Sequence, residues 1–199
     1  MEIVVFDFDG TITTRDTFAL FLRYYAGFWT WLLKIITLIP TFVMYGMGLI
    51  DRNRVKDRVI WRFFRGHDYT NVLNKAEKFA CDVIPSLIRP GAQNALDELS
   101  SNRDTLYICS ASITPYLEFW GKTENIHNIL ATELEVEHGT CTGKIKGWNV
   151  WGPGKIRRIL AEFSPNQVKI SHAYGDSRGD KELLHAAEES HWRPFRLSE

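Results

Sequence analysis

The chain has 199 residues, 45% of them hydrophobic, and its 24 basic side chains balance 24 acidic ones. That length and apolar content suffice to bury a core, and the charge balance gives no bias toward polyanions, which excludes nucleic acid as an expected partner. Three cysteines, Cys81, Cys109 and Cys141, odd in number and unpaired in spacing, argue against a disulfide framework and for a reducing compartment.

In chain order, the first expected element is a short strand, Ile3-Val4-Val5-Phe6, apolar enough to be buried on both faces. Met1-Glu2 lead straight into it, with neither a basic n-region nor an apolar h-region, so the cytoplasm is the expected location. Helices are expected near 14–27, 29–47, 51–65 and 69–84, and Arg89-Pro90-Gly91 then marks a boundary. A helix over 90–100 leads to a strand over 105–109 that closes on Ser110, followed by a helix over 114–120. Segments 130–137 and 141–146, joined by Glu137-His138-Gly139-Thr140, read as an antiparallel hairpin. A helix over 154–163, a strand over 169–174, a helix over 179–190 and a last strand over 192–195 complete a three-layer α/β fold with a Rossmann-like parallel-sheet core.

The chemistry begins where the first strand ends. Asp7 and Asp9 leave it on the same side, and two carboxylates crowded together need a cation between them, for which magnesium is the natural choice. Gly10 permits a sharp exit and close approach of a ligand, and Thr11 offers a hydroxyl and an N–H to phosphate oxygens. Asp-x-Asp-Gly-Thr is also an ordinary turn that caps a strand. It gains weight from Tyr174-Gly175-Asp176-Ser177-Arg178-Gly179-Asp180, a second strand end carrying acids, which a parallel sheet brings to the same edge. Ser110, at the end of a third strand, and Lys155, at a helix start, complete the set.

In that order the four segments resemble the motifs of the haloacid dehalogenase superfamily, in subfamily IB, the branch of phosphoserine phosphatase-like enzymes, and the likeness covers nearly the whole chain. The resemblance implies that Asp7 is the nucleophile toward phosphorus and that Asp9 donates and then accepts the proton. It implies that Ser110, Ala111 and Lys155, with Thr11, hold the transferring phosphoryl group. It further implies that Asp176 binds Mg²⁺ with the Asp7 carboxylate and the Asp9 backbone carbonyl, while Asp180 and Ser177 support the site and Asp16 corresponds to an acid on the cap side. A helical cap over residues 14–88, inserted into a core of 1–13 and 89–199, belongs to the same implication. The expected function is a Mg²⁺-dependent phosphomonoester hydrolase acting through an aspartyl-phosphate on a small-molecule or lipid phosphate. Alternatives are a phosphotransferase using the same intermediate and a phosphoserine phosphatase. Those phosphatases carry Gly-Gly where this chain has Ala111-Ser112, and an Arg for the substrate carboxylate finds no counterpart here. The acid at position 9 argues against the dehalogenases, which have no leaving alkoxide to protonate.

Residues 24–50 carry a single charge, Lys34. Lys34, Pro40, Gly46 and Gly48 interrupt the run and disfavour a membrane span. Packing within the cap is one reading. The other seats Phe28, Trp29 and Trp31 at a bilayer interface, with Arg23, Lys34, Arg52 and Arg54 toward headgroups, at the inner face of the membrane. A lipid phosphate substrate fits that reading, because the branch includes membrane-associated phosphatidylglycerophosphate phosphatases.

Other signals lead nowhere in the sequence. Asn149 and Ile156 stand where a P-loop needs Gly and Ser or Thr. The six histidines, His67, His127, His138, His172, His185 and His191, lack metal-ligand spacing, so zinc is not expected. Trp148 and Trp151 flank Lys155 and suit either a substrate pocket or a packed lid.

Overall fold

The structure is a computed structural model that describes residues 1–99, 105–163 and 167–196. Among the described residues the strands form one six-stranded sheet. Strands β1 (Glu2–Phe6), β2 (Leu106–Ile113), β3 (Asn128–Glu137), β5 (Lys169–Gly175) and β6 (Glu189–Trp192) run parallel, and β4 (Thr140–Lys146) lies antiparallel to β3. The spatial order is β4-β3-β2-β1-β5-β6. The chain leaves β1 toward β2 on one side and reaches β5 on the other, so strand order reverses at β1 and opens a crevice at the carboxyl ends of the central strands.

Side-chain alternation builds two cores from the same strands. Ile3 and Val5 of β1, with Tyr107 and Cys109 of β2, pack against Ile159 of α7 (Pro153–Glu162) and Leu183 and Leu184 of α8 (Lys181–Ala186). Phe6, Leu106 and Ile108 face the other way, onto Ala92 and Leu96 of α5 (Pro90–Glu98) and Tyr116, Leu117 and Trp120 of α6 (Thr114–Thr123). Helix, sheet and helix form the three expected layers. The hairpin turn has His138 at φ 48° and Gly139 at φ 76°, the pair of positive angles that a two-residue turn between twisted strands requires.

Three boundaries differ from expectation; the last strand, expected over 192–195, runs over Glu189–Trp192 and ends where Arg193 takes φ 53°. Strand β2 extends four residues past Cys109, because Ser110 and Ile113 still pair with Ala131 and Thr132 of β3. The expected helix over 179–190 is a tight turn, Arg178–Asp180, followed by the six-residue α8, and Glu189 and Ser190 belong to β6. Pairing of Glu189 with His172 and Ser190 with Ala173 along the open edge of β5 overrides their local helical pattern. The expected end of the 90–100 helix lies outside the described residues.

Between β1 and α5 the chain leaves the sheet at a narrow neck. Thr13 and Ile88 form an antiparallel bridge, the Thr14 N–H donates to Leu87 O and the Arg89 N–H to Ile12 O, both at 2.8 Å. Above it stand α1 (Thr17–Ala26), α2 (Phe28–Gly46), α3 (Arg52–Phe64) and α4 (Tyr69–Asp82). Asp16, Asp51 and Asp68 cap α1, α3 and α4 by accepting backbone N–H bonds. Phe21 and Phe79 from these helices pack against Tyr116 of α6, Phe64 packs against Phe21, and all belong to the same apolar cluster as Phe8 and Trp120.

Helix α2 is different. It runs unbroken through Pro40, which deprives the Ile36 carbonyl of its intrahelical donor, and by length and composition it is apolar enough to cross a membrane. Only Leu38 and Thr41 are buried. Trp29, Leu33 and Met47 expose 74%, 64% and 68% of their surface and, with Ile36 and Val43, mark one stripe at helical spacing. The expected aromatic edge is only partly present. Phe28 and Trp29 are exposed, but Trp31 turns inward to line a cavity, Lys34 donates to the Phe63 carbonyl, and Arg52 lies over the Trp151 ring.

One consequence is measurable. Phe21 is fully buried between the inserted helices and α6, so Phe21→Ala should lower stability by about 3–5 kcal/mol in urea unfolding. Because the cluster is continuous, the unfolding should be one cooperative transition by both tryptophan fluorescence and circular dichroism; two separated transitions would contradict a shared core.

Candidate active site

The acids converge at the carboxyl ends of β1 and β5. The Asp7 N–H donates to Tyr174 O at 2.9 Å, continuing the strand ladder and bringing Asp7 beside the β5 terminus. The chain then turns tightly over Phe8–Ile12, where Gly10 takes φ 82°. A Cβ on Gly10 would stand 2.5 Å from Asp176 Oδ2, so only glycine lets the first loop and the fourth-motif acid approach so closely. The Thr11 hydroxyl donates to Asp7 Oδ2 at 3.1 Å.

Lys155 is 1% exposed and ties the site together. Its Nζ lies 2.5 Å from Asp7 Oδ1 and 2.6 Å from Asp180 Oδ1. Asp180 Oδ2 accepts from the N–H groups of Asp176 and Ser177 and from the Ser177 hydroxyl, so Asp180 and Ser177 hold the loop in place. Asp176 Oδ2 receives the Arg196 guanidinium at 2.5 Å. Burial works against the charge on Lys155, but Asp7 and Asp180 outweigh it and hold the ammonium well above its ordinary range. Burial likewise opposes ionisation of Asp180, and Lys155 overcomes it and lowers that carboxyl. At Asp7 burial prevails over Lys155 and pushes the carboxyl up to about 7.

Asp7, Asp176 and Asp180 each present an oxygen within 4.8 Å of the others, all buried. This hard, all-oxygen set suits Mg²⁺, which takes carboxylates, phosphate and water. The lysine and arginine supply the compensating charge among the protein's own groups.

Asp9 stands apart from that trio. Its Oδ1 accepts from the Thr17 N–H at 2.6 Å and the Thr17 hydroxyl at 2.5 Å, and its Oδ2 accepts from the Ser112 hydroxyl. Burial, reinforced by the charge of Asp16, pushes the Asp9 carboxyl up to about 6 against these hydrogen bonds. Ser110 is fully buried, its Oγ accepting the Ser112 N–H at 3.0 Å, whereas Ala111 and Ser112 line the cavity. Asp16, exposed, caps α1 at the cavity rim.

That cavity has a volume of about 630 Å³. Asp7, Asp9, Lys155 and Asp176 occupy one part of its lining; Leu22, Trp31, Ile35, Phe42 and Val59 from the inserted helices form an apolar wall. Lys56 of α3 also lines it, with Nζ donating to the Ala111 carbonyl at 3.1 Å and lying over the Phe18 ring, and burial lowers its ammonium to about 7. Sequence reasoning missed Thr17, Ser112, Lys56 and Arg196. Ser112 was legible as a second hydroxyl after the strand, but the other three carry no local signal, because only the folded chain brings them to the acids.

The chain resembles known proteins along most of its length. A model for haloacid dehalogenase-like hydrolases matches residues 4–185. Protein CicA of Caulobacter vibrioides is 32% identical over 197 residues, 98% of this chain and 86% of its own. A Bordetella pertussis Tohama I protein of unknown function superposes with a TM-score of 0.80 at 19% identity, over 95% of this chain and 88% of that one. A substrate-bound phosphoserine phosphatase superposes with a TM-score of 0.62 at 17% identity, over 96% and 84%. With its motif acids gathered around one lysine, and its family match spanning all but the chain ends, the protein belongs to the haloacid dehalogenase-like hydrolases.

Proposed function

We propose that the protein is a Mg²⁺-dependent phosphomonoester hydrolase of the phosphoserine phosphatase-like branch, in which residues 14–88 form a cap over a catalytic core of 1–13 and 89–199. The observation that carries this reading is the buried group of Asp7, Lys155, Asp176 and Asp180 opening on one cavity with Asp9. Bound to Asp7, Asp176 and the Asp9 carbonyl, Mg²⁺ would screen the repulsion between a carboxylate nucleophile and a phosphate dianion. Asp7 attacks phosphorus and displaces the substrate alkoxide, which takes a proton from Asp9. Asp9 then removes a proton from water, which attacks the aspartyl-phosphate, releases inorganic phosphate and restores Asp7. Lys155 offsets charge on the equatorial oxygens. A carboxyl pushed up to about 6 suits proton donation near neutrality.

The cavity wall favours an amphiphilic substrate. A polar phosphomonoester such as phosphoserine gains nothing from Trp31, Ile35 and Phe42, whereas the alkyl part of a lipid phosphate covers them. Helix α2, whose inner face supplies that wall, leaves its outer stripe of Trp29, Leu33, Ile36, Val43 and Met47 in solvent, a pattern suited to partial burial in a bilayer interface. The three free thiols support a cytoplasmic setting, at the inner face of the membrane.

Asp7→Asn should reduce phosphatase turnover by roughly three orders of magnitude or more in a variant that still folds, as judged by its circular dichroism; comparable turnover would refute the assigned nucleophile. EDTA should abolish activity and Mg²⁺ restore it, and Gly10→Ala should weaken Mg²⁺ affinity by displacing Asp176, so that more Mg²⁺ is needed for half-maximal activity. Co-sedimentation with anionic vesicles tests the amphiphilic reading. The wild type should bind, the Trp29→Ser/Leu33→Ser pair should not, and a lipid phosphate should be hydrolysed in preference to phosphoserine. Equal rates on both substrates and no vesicle binding would leave a hydrolase of soluble phosphates.

A further inference from the structure

We propose a second metal site, distinct from the catalytic carboxylates, in which His172, Glu189 and His191 bind a borderline divalent transition-metal ion of the zinc type. The linear spacing of these residues gives no hint of it; strand pairing creates it. In the parallel register of β5 and β6, His172 stands opposite Glu189 and Tyr174 opposite His191. The two-residue period of each strand puts all four side chains on one face.

The distances suit coordination. His172 Nδ1 lies 3.2 Å from His191 Nε2 and 3.5 Å from Glu189 Oε2, and one ligand atom from each residue falls within 4.8 Å of the others. Zinc–ligand bonds of about 2.0–2.2 Å in a tetrahedron place neighbouring ligand atoms roughly 3.3–3.6 Å apart, close to the two measured edges of 3.2 and 3.5 Å. The set is also preorganised. The His191 ring stacks on Tyr174 at 4.3 Å and 11°, and Tyr174 stacks on the fully buried Phe6 at 4.1 Å and 3°, which fixes one imidazole against the core. Burial and the neighbouring His172 hold His191 below its ordinary range, toward the neutral form that ligates metals. Glu189 and the half-exposed His172 leave an entry path and room for a water as fourth ligand.

Ligand chemistry separates the two sites. Two imidazoles and one carboxylate select zinc, nickel or copper over magnesium, whereas the Asp7, Asp176 and Asp180 group offers oxygen alone. The new site also has something to hold. Strand β6 is a four-residue edge strand, and just beyond it Arg193 donates to the Gly175 and Asp176 carbonyls while Arg196 pairs with Asp176. An ion clipping β6 to β5 would fix the segment that carries both arginines to the catalytic acid.

The test is a calorimetric titration of the full chain with Zn²⁺ in millimolar Mg²⁺, which occupies the carboxylate site, together with imidazole NMR of the unmodified protein. One zinc equivalent should bind, shifting the side-chain resonances of His172 and His191. His172→Asn, His191→Asn and Glu189→Gln should each weaken binding roughly tenfold or more, and the exposed Glu189→Gln should do so without lowering the zinc-free unfolding midpoint. Zinc affinity unchanged in these variants, no zinc bound beside Mg²⁺, or shifts that spare both histidines would overturn the proposal.

Discussion

A buried ammonium between two carboxylates is the constraint around which the rest of the molecule is arranged. Three acids within 4.8 Å of one another, removed from water, repel strongly, and Lys155 with Arg196 makes their company tolerable. A buried ion pair contributes little net stability, because desolvation of each partner cancels much of the attraction; removing one partner alone is what costs heavily. The arrangement therefore holds together only as a set, and its members come from the ends of β1 and β5 and the start of α7. The strand order that places β5 beside β1 is what makes that meeting possible.

The second acid is governed from elsewhere. Asp9 is held by Thr17, the first residue of α1, and by Ser112 on the extension of β2. Position of the inserted helices and protonation of this carboxyl are thereby linked through a few short hydrogen bonds. Thr17 also contacts the hydroxyl of Tyr116, at the base of the aromatic cluster that joins the insertion to the sheet. Placement of the inserted helices, packing of the core and the environment of Asp9 share these atoms.

Helix α2 brings a different economy. Most surface helices have one apolar face, turned inward; this one uses its inner face to wall the cavity and leaves a second apolar stripe uncovered. Such a helix is stable where something other than water meets that stripe. The helix that walls the cavity thus also presents that uncovered apolar stripe.

The motif residues were legible from local chemistry. Asp7, Asp9 and Gly10 at a strand end, Lys155 at a helix start and Asp176 after a second strand announce an acidic edge at the ends of two strands, and alternating helices and strands announce the layered sheet. Hidden from that reading were features made by long-range pairing. Glu189 and Ser190 become strand only because β5 offers an open edge, the same register brings His172 to His191, and Arg196 reaches Asp176 only after β6 has formed. Ser110 carries the hydroxyl expected near phosphate, yet the continuation of β2 buries it and turns Ser112 to the acid. Residue type and short spacing determine which chemistry the chain carries; which side chains share a cavity is decided by strand register and packing, because neither acts on neighbours in sequence.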